Sequence, residues 1–181
     1  MMQFNVAQLL KEPIGSTRHY RVEDSLDLLG EGHTSRVEGE ANLIRTNRSV
    51  MVTAKLKTEV AVTCSRCLSP FRLPLTLSME EEFFPIIDIL TGLPPPPSEE
   101  PGAFTIDEHH ILDLTEAVRQ YTLLAIPMKL LCREDCAGFC ATCGQNLNEG
   151  ACHCSTQEVD PRWAKLAQLA LKQKSKRKKG K

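Results

Sequence analysis

The sequence lacks any apolar run approaching the ~20 residues that cross a bilayer. Its opening stretch, MMQFNVAQLLKEP, lacks the basic leader and the apolar core of a secretory signal. We therefore expect a cytoplasmic protein that does not engage membranes. Thiols stay reduced in that compartment, where clustered cysteines bind metal more often than they form disulfides.

The sequence also lacks the motifs of the common catalytic sites. It contains no P-loop, no G-x-G-x-x-G, no H-E-x-x-H and no G-x-S-x-G. The H-x-E and P-C-x-x-C pair of zinc deaminases is missing as well. We therefore expect a binding protein, with no enzymatic activity and no small-molecule substrate.

The net charge of −1 conceals a strong asymmetry. Residues 172–181, KQKSKRKKGK, contain seven Lys or Arg and no acid. Removing those seven from the 22 basic residues leaves 15 against 23 acids, so the rest of the chain carries about −8. An acidic body with a basic end indicates a tail that has its own polyanionic partner. The alternative is a terminus that is simply solvated and disordered.

Alternating apolar residues predict strands in the first two-thirds of the chain. Nearly every even position from 50 to 64 is apolar, and every odd position from 71 to 79 is apolar. This period of two indicates strands with one buried face, joined by a hairpin at Cys64-Ser-Arg-Cys67. Six prolines in residues 85–107 predict a long exposed loop. The pattern favours an α+β fold, an antiparallel sheet or small open barrel.

Two helices are expected after the loop. Asp113 and Glu116 resemble a capping box, and apolar residues at helical spacing follow until Pro127, which predicts a helix near 113–126. Asp160 followed by Pro161 predicts the start of a second, closing helix. Both apolar stripes are interpreted as core packing.

Eight cysteines form four pairs, of which two have the C-x-x-C spacing of a metal knuckle. The simplest grouping joins Cys140 and Cys143 to Cys152 and Cys154, leaving Cys64 and Cys67 to meet Cys132 and Cys136. Tetrahedral zinc takes four soft ligands in a closed structural site, so one or two structural zinc ions are predicted. His153 could replace a cysteine, and Cys132 or Cys154 could be a spectator. An iron–sulfur cluster or free thiols remain alternatives.

A thiol-redox protein that uses Cys64 and Cys67 is an alternative to the metal-binding protein, because Arg66 could lower the pKa of one of these thiols. Thioredoxin-type motifs, however, lie at a strand-to-helix junction, and this one separates two predicted strands.

Four segments in order resemble the YceD family, the large ribosomal RNA subunit accumulation proteins. They are LLKEPIGSTRHY, then VTCSRCLSPFRLPL followed by EEEF, then DLTEAVRQYTLLAIPMKLLC, and finally CAGFCATCGQNLNEGACHC with DPRWAKLAQL. The resemblance covers nearly the whole chain. The positions that match family motifs are Cys64, Arg66, Cys67, Cys136, Cys140, Cys143, Asp160 and Arg162.

The resemblance implies a non-enzymatic ribosome-biogenesis factor that supports synthesis, processing or stability of large-subunit ribosomal RNA. Its expected partner is ribosomal RNA or a pre-ribosomal particle. The alternative is a zinc-ribbon adaptor that binds a ribosomal or RNA-processing protein. The tail would contact RNA phosphates without reading sequence, through Lys172, Lys174, Lys176, Arg177, Lys178, Lys179 and Lys181.

The expected organisation has three parts. Residues 1–131 form a mainly antiparallel β domain, with the proline-rich loop 85–107 and the helix near 113–126. Residues 132–171 form a cysteine-rich zinc segment with the closing helix. Residues 172–181 form the disordered basic tail.

Overall fold

The computed structural model describes residues 2–30, 32–96 and 102–154. The chain divides into two compact units, Met1–Cys136 and Ala137–Lys181. The first unit contains all the regular secondary structure of the described residues. Its elements are β1 Gln3–Asn5, α1 Ala7–Lys11, β2 Thr17–Asp27, β3 Thr34–Arg45, β4 Val50–Thr63, β5 Pro70–Pro85, β6 Phe104–Ile106, β7 Ile111–Asp113 and α2 Thr115–Ala125.

Four long strands, β2 to β5, form an antiparallel meander, as the alternating pattern predicted. Their inward side chains are buried; Leu43, Leu56 and Leu77, for example, expose 2% or less of their surface. Buried and exposed residues alternate along each strand because successive side chains point to opposite sides of the sheet. The outward positions of β3 and β4 are largely polar or charged, with Glu38 opposite Lys57.

The complete sheet is mixed and has seven strands, so the expectation of an antiparallel sheet is correct for most strands only. The strand order is β1-β7-β6-β5-β4-β3-β2, and β5 pairs with β6 in parallel. A parallel pair requires a long connection that returns the chain to the starting end. The link from Ile86 to Ala103 provides it. Strand β6, Phe104–Ile106, lies inside the segment 85–107 that the sequence predicted as a loop, so the prediction is wrong for these three residues.

The sheet curls into half a barrel. Its two outermost strands come together through side chains, since the ring centroids of Phe4 in β1 and Tyr20 in β2 are 4.7 Å apart. Aromatic rings at this separation attract one another and bury apolar area. The small open barrel that the sequence favoured corresponds to this curled sheet.

The helix α2 lies within the range near 113–126 that the sequence predicted. Thr115 is its first residue and Leu114 is the N-cap, without a side-chain capping bond. Asp113 lies one position earlier, where its Oδ1 accepts the Thr115 N–H at 2.8 Å. Glu116 accepts from Gln120 Nε2 instead, so the predicted capping box is not formed. Asp113 also lies in the short strand β7, opposite Gln3 of β1.

The inner face of α2 contributes to the core. Ala117, Val118 and Thr122 are fully buried, and the Thr122 hydroxyl donates to the Val118 carbonyl at 2.7 Å. Among the described residues, no helix is long and apolar enough to span a membrane. The predicted closing helix and the basic tail lie outside the described residues.

Gly39 of β3 is packed directly against β4. A Cβ atom at this position would lie 2.1 Å from the Lys55 carbonyl oxygen and 2.9 Å from the Leu56 Cα. Backbone atoms cannot move aside as a flexible side chain can.

We expect Gly39→Ala to lower the free energy of unfolding by about 1–3 kcal/mol, measured by urea denaturation. Ala61→Ser, at an exposed position of β4, is the matched control and should change it by less than about 0.5 kcal/mol. Equal stability of the two variants would contradict this account of the β3–β4 contact.

Candidate metal centres

The first group of cysteines lies where the β4–β5 hairpin meets the segment that follows α2. Cys64, Cys67, Cys132 and Cys136 have sulfur atoms all within 4.8 Å of one another. We call this group the first tetrad. The Ser65 N–H donates to the Leu130 carbonyl at 2.8 Å, which attaches the hairpin tip to the later segment. Phe71 and Leu131 pack against Cys64, Cys67 and Cys136.

The second group lies in the second unit. Cys140, Cys143, Cys152 and Cys154 also have sulfur atoms within 4.8 Å of one another, and we call them the second tetrad. Phe139 and Asn146 form an isolated antiparallel bridge that closes the loop containing Cys140 and Cys143. The Ala137 N–H donates to Asn148 Oδ1 at 2.8 Å, and the Leu147 N–H donates to the Gly138 carbonyl. These bonds return the chain toward Cys152 and Cys154.

The two C-x-x-C turns have the same backbone geometry. In the first knuckle, residues 64–69, the Cys64 N–H donates to the Ser69 carbonyl at 3.0 Å and the Leu68 N–H donates to the Cys64 carbonyl at 3.0 Å. In the second knuckle, residues 140–145, the corresponding bonds join Cys140 to Gln145 and Gly144 to Cys140, both at 2.8 Å. One sequence spacing has therefore produced the same turn twice.

Each knuckle also directs a backbone amide at its first sulfur. The Arg66 N–H donates to Cys64 Sγ at 3.5 Å, and the Thr142 N–H donates to Cys140 Sγ at 3.4 Å. Amide donors at this position stabilise a thiolate, the form in which cysteine binds metal. Both knuckles are therefore arranged to present ionised sulfur.

The residue after each second cysteine has a left-handed backbone. Gly144 has φ +73°, and Leu68 has φ +56°. Glycine adopts this conformation freely, but a side chain makes it strained. The strain at Leu68 was not predicted, because a leucine in a sequence carries no signal of positive φ.

The sulfur positions fit a tetrahedral metal ion. Cys64 Sγ lies 3.8 Å from Cys136 Sγ, and Cys67 Sγ lies 3.7 Å from Cys132 Sγ. Disulfide bonds are only about 2.05 Å long, and all eight cysteines are free. Four sulfurs bound at ~2.3 Å to one tetrahedral ion lie about 3.8 Å from one another. Both tetrads are therefore positioned to bind a metal ion, and the residues present fit a closed thiolate site.

The ionisation of the thiols differs within each tetrad. Backbone hydrogen bonds lower the pKa of Cys64 from 9.0 to about 6, and the one from Cys67 is the largest cause. The pKa of Cys140 is also lowered to about 6, and the largest cause is the backbone hydrogen bond from Cys143. Burial raises the pKa of Cys132 to about 12. The pKa of Cys154 is raised to about 12, mainly by a hydrogen bond with the Cys143 side chain and secondly by burial. Crowded thiols cannot all ionise unless a cation balances their charge.

Arg66 has a structural contact that the sequence did not reveal. Its Nη1 donates to the Cys136 carbonyl at 2.7 Å, which links the first knuckle to the last cysteine of the first tetrad. Backbone hydrogen bonds, the one from Cys67 first and one from Arg66 itself among them, lower the pKa of Cys64. The hypothesis that the Arg66 charge lowers a thiol pKa stays a prediction.

The structure brings all eight predicted cysteines together in the two groups that the spacing favoured. His153 is exposed and lies outside both groups of sulfur atoms. Asp160, Arg162 and the seven basic tail residues lie outside the described residues. The hydrogen bond from Ser65 to Leu130 could not be predicted, because it joins positions far apart in the chain.

These features define a class of protein: a curled α+β sheet with a cysteine tetrad at one hairpin and a second tetrad in a short separate unit. A family model described as "Large ribosomal RNA subunit accumulation protein YceD" matches residues 52–170. The chain therefore belongs to the YceD family, which confirms the resemblance. The matched region contains both tetrads.

Several mycobacterial proteins are similar to this chain. An uncharacterized protein of Mycobacterium tuberculosis and another of Mycobacterium bovis are each 27% identical over 173 residues, covering 93% of this chain and 81% of their own length. An uncharacterized protein of Mycobacterium leprae is 34% identical over 58 residues, covering 32% of this chain and 26% of its own. No solved structure matches the chain.

Metal affinity should rise with pH. Cys132 and Cys154 have pKa values of about 12, so they are protonated at neutral pH and must lose a proton when metal binds. Cys64 and Cys140, with pKa values of about 6, are already ionised above that pH. The metal affinity of each site should therefore rise at least about tenfold per pH unit between about pH 7 and 9. Below about pH 6 the affinity should decrease more steeply as the pH is lowered, because Cys64 and Cys140 then become protonated too. Competition with a chromogenic chelator measures this dependence, and a flat profile would contradict it.

The left-handed position of the second knuckle gives a further prediction. Gly144→Ala places a side chain at φ +73°, at a cost of roughly 1–2 kcal/mol in the geometry that binds metal. The affinity of the second tetrad should fall about tenfold, while the first tetrad keeps its affinity. Ala141→Gly, in the same exposed turn, is the control and should leave the affinity of the second tetrad unchanged. A loss of affinity at both tetrads would point to a general folding defect.

Proposed function

We propose that this chain is a non-enzymatic ribosome-biogenesis factor of the cytoplasm that supports synthesis, processing or stability of large-subunit ribosomal RNA. The observation that carries the proposal is the family match over residues 52–170, whose description names the accumulation of large-subunit ribosomal RNA. The partner would be ribosomal RNA or a pre-ribosomal particle.

We propose that each tetrad holds one structural zinc ion. Four thiolates with no open position are the ligands of closed structural zinc sites. The sulfur separations of 3.7 and 3.8 Å in the first tetrad support this choice. All eight cysteines would be ligands: Cys64, Cys67, Cys132, Cys136, Cys140, Cys143, Cys152 and Cys154.

The proposed zinc ions have different structural tasks. In the first unit, zinc would join the β4–β5 hairpin to the segment after α2, reinforcing the bonds of Ser65 and Arg66. In the second unit, the described residues 137–154 contain no helix and no strand beyond one bridge. Structural zinc contributes an apparent ~10–16 kcal/mol in small modules at neutral pH, enough to order such a segment.

A zinc-ribbon adaptor is the second candidate function. The chain outside residues 172–181 carries about −8, which suits a basic protein surface such as that of a ribosomal protein. An adaptor would stay bound to its protein partner after nuclease treatment, whereas a direct RNA binder would be released.

The thiol-redox function is less well supported than the other two. Cys64 is fully buried and Cys67 is 9% exposed, whereas reactive cysteines require access to their substrate. Trapping of mixed disulfides by Cys67→Ser would favour it nevertheless.

Removal of the chain from its host should lower large-subunit ribosomal RNA relative to small-subunit RNA, measured by RNA electrophoresis and gradient sedimentation of ribosomal particles. Re-expression of the unchanged chain should restore the ratio.

Cys64→Ser should restore the RNA ratio poorly, because loss of one buried ligand opens the first tetrad. Ser65→Ala keeps every thiol and serves as the control. An unaltered RNA ratio without the chain would contradict the proposed function, and full restoration by Cys64→Ser would contradict the role of the first tetrad.

Truncation after Leu171 tests the proposed role of the basic tail. The tail carries seven basic residues, and each phosphate that it neutralises should contribute about −0.9 to the slope of log affinity against log salt, the coefficient for B-DNA. The truncated chain should bind RNA more weakly and with a flatter salt dependence, measured by fluorescence anisotropy. Unchanged affinity would exclude the tail as the RNA contact.

A further inference from the structure

The two tetrads have matching knuckles but very different exposure. In the first tetrad, Cys64 is fully buried, Cys136 is 1% exposed, Cys67 is 9% exposed and Cys132 is half-buried. In the second tetrad Cys143, at the position equivalent to Cys67, is exposed. The backbone turn is the same in both, so the difference arises from what surrounds it.

The first tetrad is partly covered by apolar side chains. Phe71 and Leu131 pack against its three buried cysteines. The second tetrad lies in a short unit, and every residue from 141 to 145 is exposed. A dissolved oxidant can therefore reach Cys143 directly, whereas Cys67 and its neighbours in the first tetrad are buried or half-buried.

We propose that Cys143 is a modification site at which a hydroperoxide opens the second tetrad, while the first tetrad stays intact. The inference rests on the proposed metal binding. It adds to the proposed function a sensitivity to peroxide that is confined to one of the two tetrads.

The reaction has two steps. The Cys143 thiolate sulfur attacks one oxygen of the hydroperoxide: an S–O bond forms, the O–O bond breaks, and the leaving oxygen takes up a proton as water or an alcohol. The sulfur is oxidised by two electrons and the peroxide is reduced. Another thiolate of the tetrad, within 4.8 Å, then attacks the sulfenic sulfur, so that an S–S bond forms and hydroxide leaves as water.

The disulfide removes two of the four ligands. Two remaining thiolates cannot complete a tetrahedral shell, so the second tetrad would lose its metal ion. Residues 137–154, which have little regular structure of their own, would lose their order with it. Reduction and added metal would restore both, so the second unit would report the oxidation state of its surroundings.

The test uses the full chain loaded with zinc, whose metal content is measured first. Hydrogen peroxide is added, released zinc is followed with a chromogenic chelator, and thiols are mapped by alkylation and mass spectrometry. Half of the bound zinc should leave at least about tenfold faster than the rest, because oxidation of thiols follows their exposure. The fast phase should coincide with a disulfide that involves Cys143. Equal release from both tetrads, or earlier oxidation of Cys67, would overturn the inference.

Two variants test whether burial protects the first tetrad. Leu131→Ala removes apolar cover beside the first tetrad and should speed its zinc release toward the rate of the second. Leu124→Ala makes the same change at an 81% exposed position and should leave both rates unchanged. Resistance of the first tetrad in both variants would overturn the role of burial. A chain that contains no zinc before oxidation would instead contradict the proposed metal binding itself.

Discussion

The gathering of four sulfur atoms at the tip of one hairpin is the constraint on which much of the first unit depends. The sulfurs of the first tetrad come from two segments about 65 residues apart, Cys64 and Cys67 in one and Cys132 and Cys136 in the other. The β4–β5 hairpin must therefore end where the segment after α2 passes. The bonds from Ser65 to Leu130 and from Arg66 to Cys136 fix that meeting point.

The same chemistry appears in the second unit with a different environment. Both knuckles aim a backbone amide at a sulfur, and among the described residues only the first is embedded in apolar packing. Burial excludes water and reagents, whereas exposure permits exchange and chemical attack. Under the proposed zinc binding and peroxide sensitivity, the same ligand set would have a structural role in the first unit and a responsive role in the second.

Much of the first unit could be predicted from local pattern. The alternation around Leu56 and Leu77 predicted β4 and β5, because a half-buried strand needs an apolar residue at every second position. The C-x-x-C spacing predicted the knuckles, because such a turn depends mainly on neighbouring residues. The parallel pairing of β5 with β6 was not predicted, since three-residue strands such as Phe104–Ile106 give no periodic signal.

The sequence by itself determined the long strands, the two knuckles and the family to which the chain belongs. Each of these depends on the order of residues within a short window. Only the tertiary structure decided the mixed sheet, the contact of Phe4 with Tyr20 and the burial that separates Cys67 from Cys143. These depend on which distant segments come to lie together, and that is settled by packing over the whole unit, which no local pattern encodes.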